Sequence, residues 1–499
     1  MFSFLSIEFA LCFIVFFCLY WACRFSPRLQ NILLIIASYA LIYLMASETA
    51  LLCIFAFSII IFVLSNLMHK FEKYKKNLML VGVFLTVAQL FVFKFYDFFR
   101  PYVAQSLDQL QLDSSGLAAN ILLPLGLSYY SFQAISYLVT CYKANTETKP
   151  LTFDALLLHF SFFCTITAGP IARVEQTKGL TDIHQQPCGM HEQICTTQKR
   201  HILWPSLAFL LLALALLKKW WLASWLADSW VNPVFANPMQ YHSLEILAAI
   251  YGYTVQLFLD FSSYSEMMIA FALLFGFRLP VNFRAPLIAH NIREFWNRWH
   301  ISLSTWIRDY IYIPLGGSRG GFVKTQINLL SAMVLSGIWH GSGWNFLLWG
   351  LFHGFALVFL NTADLLYAKV FKVTAKDAQN SLYRLGWFGK VLGTFITIHF
   401  VCFCFVFFRA KTFDEAINVF QALFYNTNNV QWSTNPLYLI TLLLLSWIAY
   451  PFVSAFVLRA QFNGEQLPKY RLFVPLLLVF VLILVCAPSG IPGFIYANF

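Results

Sequence analysis

The sequence predicts an all-α, polytopic integral membrane protein with about 11–13 membrane helices or re-entrant elements. Only 11% of the residues are charged, against about 25% in a soluble globular protein. Apolar runs of about 20 residues, the length that crosses a bilayer as a helix, recur along the chain. The charge deficit and the recurrent apolar runs together exclude an ordinary soluble protein.

The apolar runs define the positions of the predicted spans. Pro124 and Gly126 predict a break near the start of the fifth run. The run 262–280 is short, so we expect it to form a broken or re-entrant element with the run before it. In chain order the predicted spans are residues 7–23, 30–45, 49–68, 78–99, 121–142, 155–172, 203–217, 244–261, 262–280, 327–339, 346–360, 391–408, 437–458 and 472–487.

Basic residues concentrate between the apolar runs, and the formal net charge is +11. Lysine and arginine accumulate in the cytoplasmic loops of membrane proteins, so nucleic acid is not a predicted partner. Segment 69–77, HKFEKYKKN, is the clearest cytoplasmic loop. Span 7–23 lacks a basic segment before it and contains Glu8, which predicts a retained span rather than a cleaved signal.

Metal and nucleotide signatures are absent from the sequence. The 11 cysteines lie mostly inside apolar runs without a CxxC pair, so neither a metal site nor a disulfide framework is predicted. The HExxH and dinucleotide-binding patterns do not occur. The glycine-rich segment 314–321 lacks the Walker A ending, and we interpret it as a turn that returns the chain to the membrane.

Segment 290–321 is an unusually polar and basic part of this apolar chain. Between residues 278 and 324 there are seven lysines and arginines but two acids, Glu294 and Asp309. Arginines alternate with tryptophans, a pattern typical of a helix at the membrane surface. One interpretation is therefore an interfacial helix without a ligand. The other is a site for a phosphorylated ligand, either a coenzyme or a lipid headgroup, bound by Arg293, Arg298 and Arg308.

His340 is the strongest candidate for chemistry. An ionisable side chain between two apolar segments is costly and suggests a function. Histidine is also the side chain best suited to exchange a proton near neutral pH. The alternative is a hydrogen-bonded core histidine without a catalytic role, and for His353 we expect that structural role.

Asp260 and Tyr264 lie one helical turn apart next to a cluster of serines. A carboxylate at this depth either orients a histidine or forms an ion pair. We expect Asp260 to pair with an arginine of segment 290–321.

Several motifs resemble the membrane-bound O-acyltransferase family, in particular its bacterial branch that O-acetylates alginate and peptidoglycan. The resemblance extends over most of the chain. The motifs are Pro124-Leu-Gly-Leu-Ser-Tyr-Tyr-Ser-Phe-Gln, Ala168-Gly-Pro-Ile, Asp260-Phe-Ser-Ser-Tyr-Ser, Asn282-Phe-Arg-Ala-Pro, Arg293-Glu-Phe-Trp-Asn-Arg-Trp-His, Arg308-Asp-Tyr-Ile-Tyr-Ile-Pro-Leu-Gly-Gly, Trp339-His-Gly, Phe408-Arg-Ala and Phe494-Ile-Tyr-Ala-Asn-Phe. Ser263 and the pair Cys164-Thr165 depart from the family pattern.

The resemblance implies one transmembrane domain of many helices around a central tunnel. Within it we expect N-terminal helices over residues 1–120, a catalytic core over 121–360 and C-terminal helices over 361–499. The implied activity is transfer of an acetyl group from cytosolic acetyl-CoA, with no tightly bound cofactor, to an extracytoplasmic glycan. Peptidoglycan is favoured over alginate or another exopolysaccharide, and D-alanyl transfer to teichoic acid is a further alternative.

The resemblance also assigns roles to individual residues. His340 matches the family's general base, and His300 matches a second motif histidine that positions the thioester or assists proton transfer. The residues expected to hold the donor are Arg293, Arg298, Arg308, Trp296 and Trp299. The residues expected to support the site are Asp260, Tyr264, Glu294, Asn297, Asp309 and Trp339.

The implied setting is the bacterial inner membrane. The implied partner is a periplasmic O-acetyltransferase or acyl-relay protein, with membrane lipids around the chain. A transporter is the distant alternative; it would require an inverted repeat and several acidic residues at mid-membrane, for which Asp260 and Glu266 are the candidates.

Overall fold

The computed structural model describes residues 3–113, 117, 124–145, 149–379, 386–427, 430, 431, 433–463, 481 and 485. The described residues form helices and loops without a β-strand, which confirms the predicted all-α class. Apart from residues 481 and 485, the predicted span 472–487 lies outside the described residues. The chain consists of two compact units, residues 1–211 with 264–281, and residues 212–263 with 282–499.

Eight helices in the described part of the chain are long and apolar enough to cross a membrane. Ile7–Ala22 is a further, shorter apolar helix. The chain is therefore a multi-pass membrane protein. The eight helices are Pro27–Met45, Glu48–Lys70, Glu72–Gln109, Pro205–Ala236, Ser243–Leu274, Trp344–Phe371, Gly386–Arg409 and Asn435–Val457.

The first unit begins with helices that start at serine caps. The side chains of Ser6, Ser26 and Ser47 each accept a hydrogen bond from the backbone N–H three residues later. Such a cap satisfies a donor that would otherwise be unpaired at the helix end. The helices of this unit are α1 (Ile7–Ala22), α2 (Pro27–Met45), α3 (Glu48–Lys70), α4 (Lys75–Gln109), α5 (Leu127–Lys143), α6 (Phe153–Ser161), α7 (Phe163–Ile166), α8 (Met190–Ile194) and the start of α9 (Pro205–Leu216).

Helix α5 begins later than the apolar run predicts. Its first residue is Leu127, and Gly126 before it has a left-handed backbone conformation with φ of 75°. A Cβ atom on Gly126 would lie 2.3 Å from the carbonyl oxygen of Ile166. Glycine is therefore required at this position both by the backbone angle and by the close approach.

The second unit contains the remaining helices and three short π-helical segments. The π-helical segments are Leu217–Ala223, Ala227–Val231 and Arg308–Tyr312. The helices are α10 (Ser224–Leu226), α11 (Asn232–Ala236), α12 (Ser243–Leu274, whose residues from 264 on belong to the first unit), α13 (Ile292–Arg298), α14 (Ile301–Ile307), α15 (Phe322–His340), α16 (Trp344–Phe371), α17 (Ala375–Ala378), α18 (Gly386–Arg409), α19 (Phe413–Tyr425) and α20 (Asn435–Asn463).

The expected break between residues 261 and 262 is wrong, because α12 is one continuous helix of 32 residues. Two serines at the expected break, Ser262 and Ser263, donate their hydroxyl groups within the helix. Ser263 Oγ donates to the carbonyl oxygen of Asp260 at 2.7 Å, and Ser262 Oγ donates to that of Leu259 at 3.5 Å. Hydroxyl groups that bond back to the preceding turn leave the helix intact.

Helices α15 and α16 pack closely through glycines. A Cβ atom on Gly350 would lie 2.6 Å from the carbonyl oxygen of Met333 and 3.2 Å from the Cα atom of Gly337. The chain turns between the two helices at Gly341, where a Cβ atom would lie 2.2 Å from the ring of Phe346. The absence of these side chains places the last residue of α15, His340, beside the start of α16.

Candidate active site

His340 lies in a buried aromatic environment in the second unit. Its side chain is 3% exposed. The imidazole contacts the rings of Trp339, Trp349 and Phe408, with centroid distances of 4.7, 5.0 and 5.0 Å. These rings exclude water from His340 and fix the orientation of its imidazole.

His300 joins α13 to α14 in a strained conformation. It is 1% exposed, and its φ of 43° places it in the left-handed region, which residues other than glycine rarely adopt. Asn282 holds this junction: its backbone oxygen accepts from the Ile301 N–H, and its side-chain oxygen accepts from both the N–H and the hydroxyl of Ser302. Strain of this kind persists where the surroundings enforce it and is common at functional sites.

The two predicted catalytic histidines contact the same side chain. The ring of Trp339 lies 6.4 Å from that of His300 and 4.7 Å from that of His340. Burial lowers the pKa of His300 to about 3, so its imidazole is neutral at physiological pH. A base this weak does not collect a proton from solvent near pH 7, which favours a positioning role for His300 over proton transfer.

We expect His300→Gly to be more stable than His300→Ala, by about 1 kcal/mol, because glycine adopts the left-handed conformation without a Cβ penalty. Thermal unfolding in detergent measures the difference. The matched control is Ser304 in α14, where alanine should be more stable than glycine because the site is helical. If the alanine variant at position 300 is as stable as the glycine variant, the backbone at His300 is not strained.

The predicted donor-binding arginines each form an ion pair within the second unit. Arg293 pairs with Asp364 at 2.7 Å, and its guanidinium also donates to Asn361. Arg298 pairs with Glu294, and Arg308 with Asp309, each at 2.7 Å. The guanidinium groups are thus held in place, and a phosphate ligand would have to compete with these carboxylates.

Glu294 is an ionised partner for Arg298. Burial opposes ionisation of Glu294, but the hydrogen bond from the backbone N–H of His290 and the charge of Arg298 outweigh burial and lower the pKa of the carboxyl. Arg298 Nε and Nη2 both donate to the same carboxylate oxygen, at 2.9 and 2.7 Å. This i,i+4 pair therefore fixes the exposed side of α13.

The two predicted donor-binding tryptophans face inward. Trp299 is 2% exposed and stacks on Phe295 at 5.5 Å, while Trp296 is 9% exposed and contacts the rings of Trp349 and His353. Asn297, between them, is exposed. Helix α13 therefore presents its tryptophans to the interior of the unit and its polar residues outward.

Two predicted supporting residues have unexpected partners. Asp260 forms a buried ion pair with Lys219, whereas the sequence favoured an arginine of segment 290–321. Lys219 is only 4% exposed. Tyr264 belongs to the first unit, where its hydroxyl forms a short hydrogen bond with Thr167.

Sequence reasoning did not identify Trp349 as part of the site or give His353 more than a structural role. Trp349 contacts both His340 and His353, with ring centroids at 5.0 and 4.8 Å. The i,i+4 spacing of Trp349 and His353 was the available signal, because such residues share one face of a helix. His340 and His353 lie on separate helices, because the chain leaves helical geometry at Gly341.

Comparison with known proteins places these residues in a family context. The family model described as "MBOAT, membrane-bound O-acyltransferase family" matches residues 32–406. A peptidoglycan O-acetyltransferase of Helicobacter pylori is 29% identical over 378 residues, which are 70% of this chain and 65% of the relative. A probable alginate O-acetylase of Pseudomonas aeruginosa is 31% identical over 351 residues, 69% of this chain and 60% of the relative.

A teichoic acid D-alanyltransferase of Streptococcus thermophilus is more distant, at 28% identity over 292 residues, 57% of this chain and 68% of the relative. The matches to the peptidoglycan and alginate relatives span less than two thirds of the length of those proteins. The segment matched by the family model contains His300, His340 and every arginine of segment 290–321.

Proposed function

Because the chain belongs to the membrane-bound O-acyltransferase family, we propose that it is an O-acetyltransferase. It moves an acetyl group from cytosolic acetyl-CoA across the bacterial inner membrane for O-acetylation of an extracytoplasmic glycan. The observation that carries the proposal is the pair of buried histidines, His300 and His340, which both contact the ring of Trp339. A histidine kept in a buried site is costly, and one within reach of an acceptor hydroxyl can remove its proton.

The chemistry begins when His340 accepts the proton of the acceptor hydroxyl as its oxygen attacks the thioester carbonyl. The C–S bond then breaks, and the proton held by His340 passes to the departing coenzyme thiolate. One C–O bond forms, one C–S bond breaks and the proton count is unchanged. The aromatic walls of Trp339, Trp349 and Phe408 keep water from intercepting the acyl group.

The donor is placed by the arginines of segment 290–321. Arg298 is the more accessible of the two on α13, with 30% of its side chain exposed, and a phosphate would compete with Glu294 for its guanidinium. Arg293 and Arg308 supply further positive charge, and Trp296 and Trp299 form the inner wall of the same helix. Arginine binds phosphate oxygens through two parallel hydrogen bonds, which makes it suited to the coenzyme.

Arg298→Ala should raise the KM for acetyl-CoA by about tenfold and change kcat by less than about threefold, because it removes a contact made equally in the ground and transition states. Steady-state kinetics of the purified protein measure both constants. Lys369→Ala, which removes an exposed charge from α16, is the control and should change neither. A fall in kcat at constant KM would assign Arg298 to another role.

Peptidoglycan is the favoured acceptor, with a periplasmic O-acetyltransferase or acyl-relay protein as the partner that completes transfer. Support comes from the Helicobacter pylori relative, whose match covers 70% of this chain. The relatives named for alginate acetylation have similar identity, so the acceptor has to be resolved by experiment.

The purified chain in detergent or nanodiscs, supplied with radiolabelled acetyl-CoA, tests the proposal. Peptidoglycan fragments, a polyuronate and teichoic acid are offered as acceptors, and a D-alanyl carrier protein replaces acetyl-CoA in a parallel reaction. We expect release of free coenzyme with labelled peptidoglycan product. Labelled polyuronate instead would identify alginate, rather than peptidoglycan, as the acceptor. If the wild type neither binds nor hydrolyses nor transfers from any of these donors, the proposed transferase activity is refuted.

A further inference from the structure

Three polar rings form a cluster in the second unit next to the candidate base. Trp349 and His353 lie one turn apart on α16, and Trp296 on α13 packs against both. Their ring centroids are separated by 4.8 Å for Trp349–His353, 5.1 Å for Trp296–His353 and 5.7 Å for Trp296–Trp349. Trp349 also contacts the imidazole of His340 at 5.0 Å, which places the cluster at the reacting centre.

The nitrogens of this cluster are buried and have no hydrogen-bond partner among the described residues. They are Nε1 of Trp296, Nε1 of Trp349 and both ring nitrogens of His353. The side chains are almost completely enclosed, with 9%, 1% and 0% exposure. Buried polar groups in proteins are nearly always hydrogen-bonded, and each exception calls for an explanation. Four such atoms on three touching rings indicate one shared ligand group.

The chemistry of the cluster defines what it binds. Each indole supplies one N–H donor and no acceptor, and a neutral imidazole supplies one donor and one acceptor. The cluster therefore presents three donors against a single acceptor. An oxygen atom with lone pairs can accept hydrogen bonds from these donors. A carbonyl oxygen that gains negative charge accepts them most strongly.

We propose that Trp296, Trp349 and His353 bind the carbonyl oxygen of the acyl group and stabilise the oxyanion that forms during transfer. This inference rests on the proposed function. When the acceptor oxygen attacks, the carbonyl electron pair moves onto this oxygen, and it returns as the C–S bond breaks. His340 carries the proton from the acceptor to the leaving sulfur, and the three donors remain protonated throughout.

The same cluster explains why aromatic side chains line this part of the unit. Trp296 and Trp349 combine an N–H donor with a large apolar surface, so they stabilise charge at one atom while excluding water elsewhere. In a water-poor site, fixed donors lower the barrier without having to reorient during the reaction.

The test removes single N–H groups while keeping shape. Trp349 and Trp296 are each replaced by 3-benzothienylalanine, in which a sulfur atom takes the place of the indole N–H. In parallel, Trp349, Trp296 and His353 are each replaced by phenylalanine. Trp447→Phe is the matched control, because Trp447 Nε1 of the same unit already donates to the carbonyl oxygen of Leu287 at 3.1 Å. Full-length proteins are assayed for acetyl-CoA turnover, with thermal unfolding recorded for each.

We expect each benzothienyl variant to lower kcat by about 10²-fold, with the KM for acetyl-CoA changed less than about threefold. Trp447→Phe should keep the wild-type kcat. Benzothienyl variants that fold and turn over like Trp447→Phe would overturn the inference and assign the nitrogens to ordered water. This inference alone would be refuted if the benzothienyl variants were fully active while His340→Ala was inactive. The proposed function would then stand, provided that the wild type is active. An inactive wild type would refute both.

Discussion

Replacing His340 with alanine should abolish acetyl transfer while leaving the protein folded. A positioned general base contributes about 10²–10⁴-fold to the rate, and an acceptor hydroxyl cannot attack a thioester efficiently without losing its proton. His340 is enclosed by Trp339, Trp349 and Phe408, so no water replaces it readily as a base. We therefore expect a loss of at least about 10³-fold in kcat, measured as coenzyme release and as labelled product.

The binding of the donor separates a catalytic role from a structural one. If His340 is the base, His340→Ala should retain the wild-type Kd for acetyl-CoA, although the cavity left among Trp339, Trp349 and Phe408 lowers the unfolding temperature. His399→Ala provides the matched control, because His399 of α18 is exposed and its Nδ1 is hydrogen-bonded to the carbonyl oxygen of Phe395. Full activity in His340→Ala would refute the mechanism, whereas a loss of donor binding would make His340 a binding residue.

Local patterns predicted much of the fold. Apolar runs gave the all-α class and most of the spans, because a bilayer imposes length and composition on each helix separately. The predicted break within α12 was wrong because Ser262 and Ser263 are satisfied by carbonyl oxygens of their own helix. Run 262–280 is short only when it is counted separately, and in the structure it continues run 244–261 as one helix of 32 residues.

Only those residues of the site that belong to sequence motifs could be predicted. The sequence singled out His340 because an ionisable residue between apolar runs is conspicuous, and His300 because it matches a motif histidine of the family. It did not connect Trp349 with His340, or Arg293 with Asp364, because these contacts join separate helices and depend on packing. The count of positive charge over residues 278–324 was also incomplete, since Arg293 pairs with Asp364, which lies outside that stretch.

Breaking the buried pair of Lys219 and Asp260 should strongly destabilise the second unit. The two side chains are 5% and 2% exposed and form an ion pair inside the helical segments. Lys219→Ala or Asp260→Ala would leave one buried charge without its partner, which typically costs about 3–5 kcal/mol. We expect either single variant to unfold at a much lower temperature than the wild type, or to be recovered in low yield from the membrane.

A double variant distinguishes the cost of an orphaned charge from the value of the pair. Lys219→Met combined with Asp260→Asn removes both charges at similar volume, and it should recover most of the stability, because replacement of a buried ion pair by neutral groups is often nearly neutral. The exposed pair Arg28–Asp154, at 3.7 Å, is the control, and Asp154→Ala should cost no more than about 1 kcal/mol. A double variant as unstable as the single ones would show that the charges themselves stabilise the fold. Lys219 and Asp260 would then each make stabilising interactions besides their ion pair.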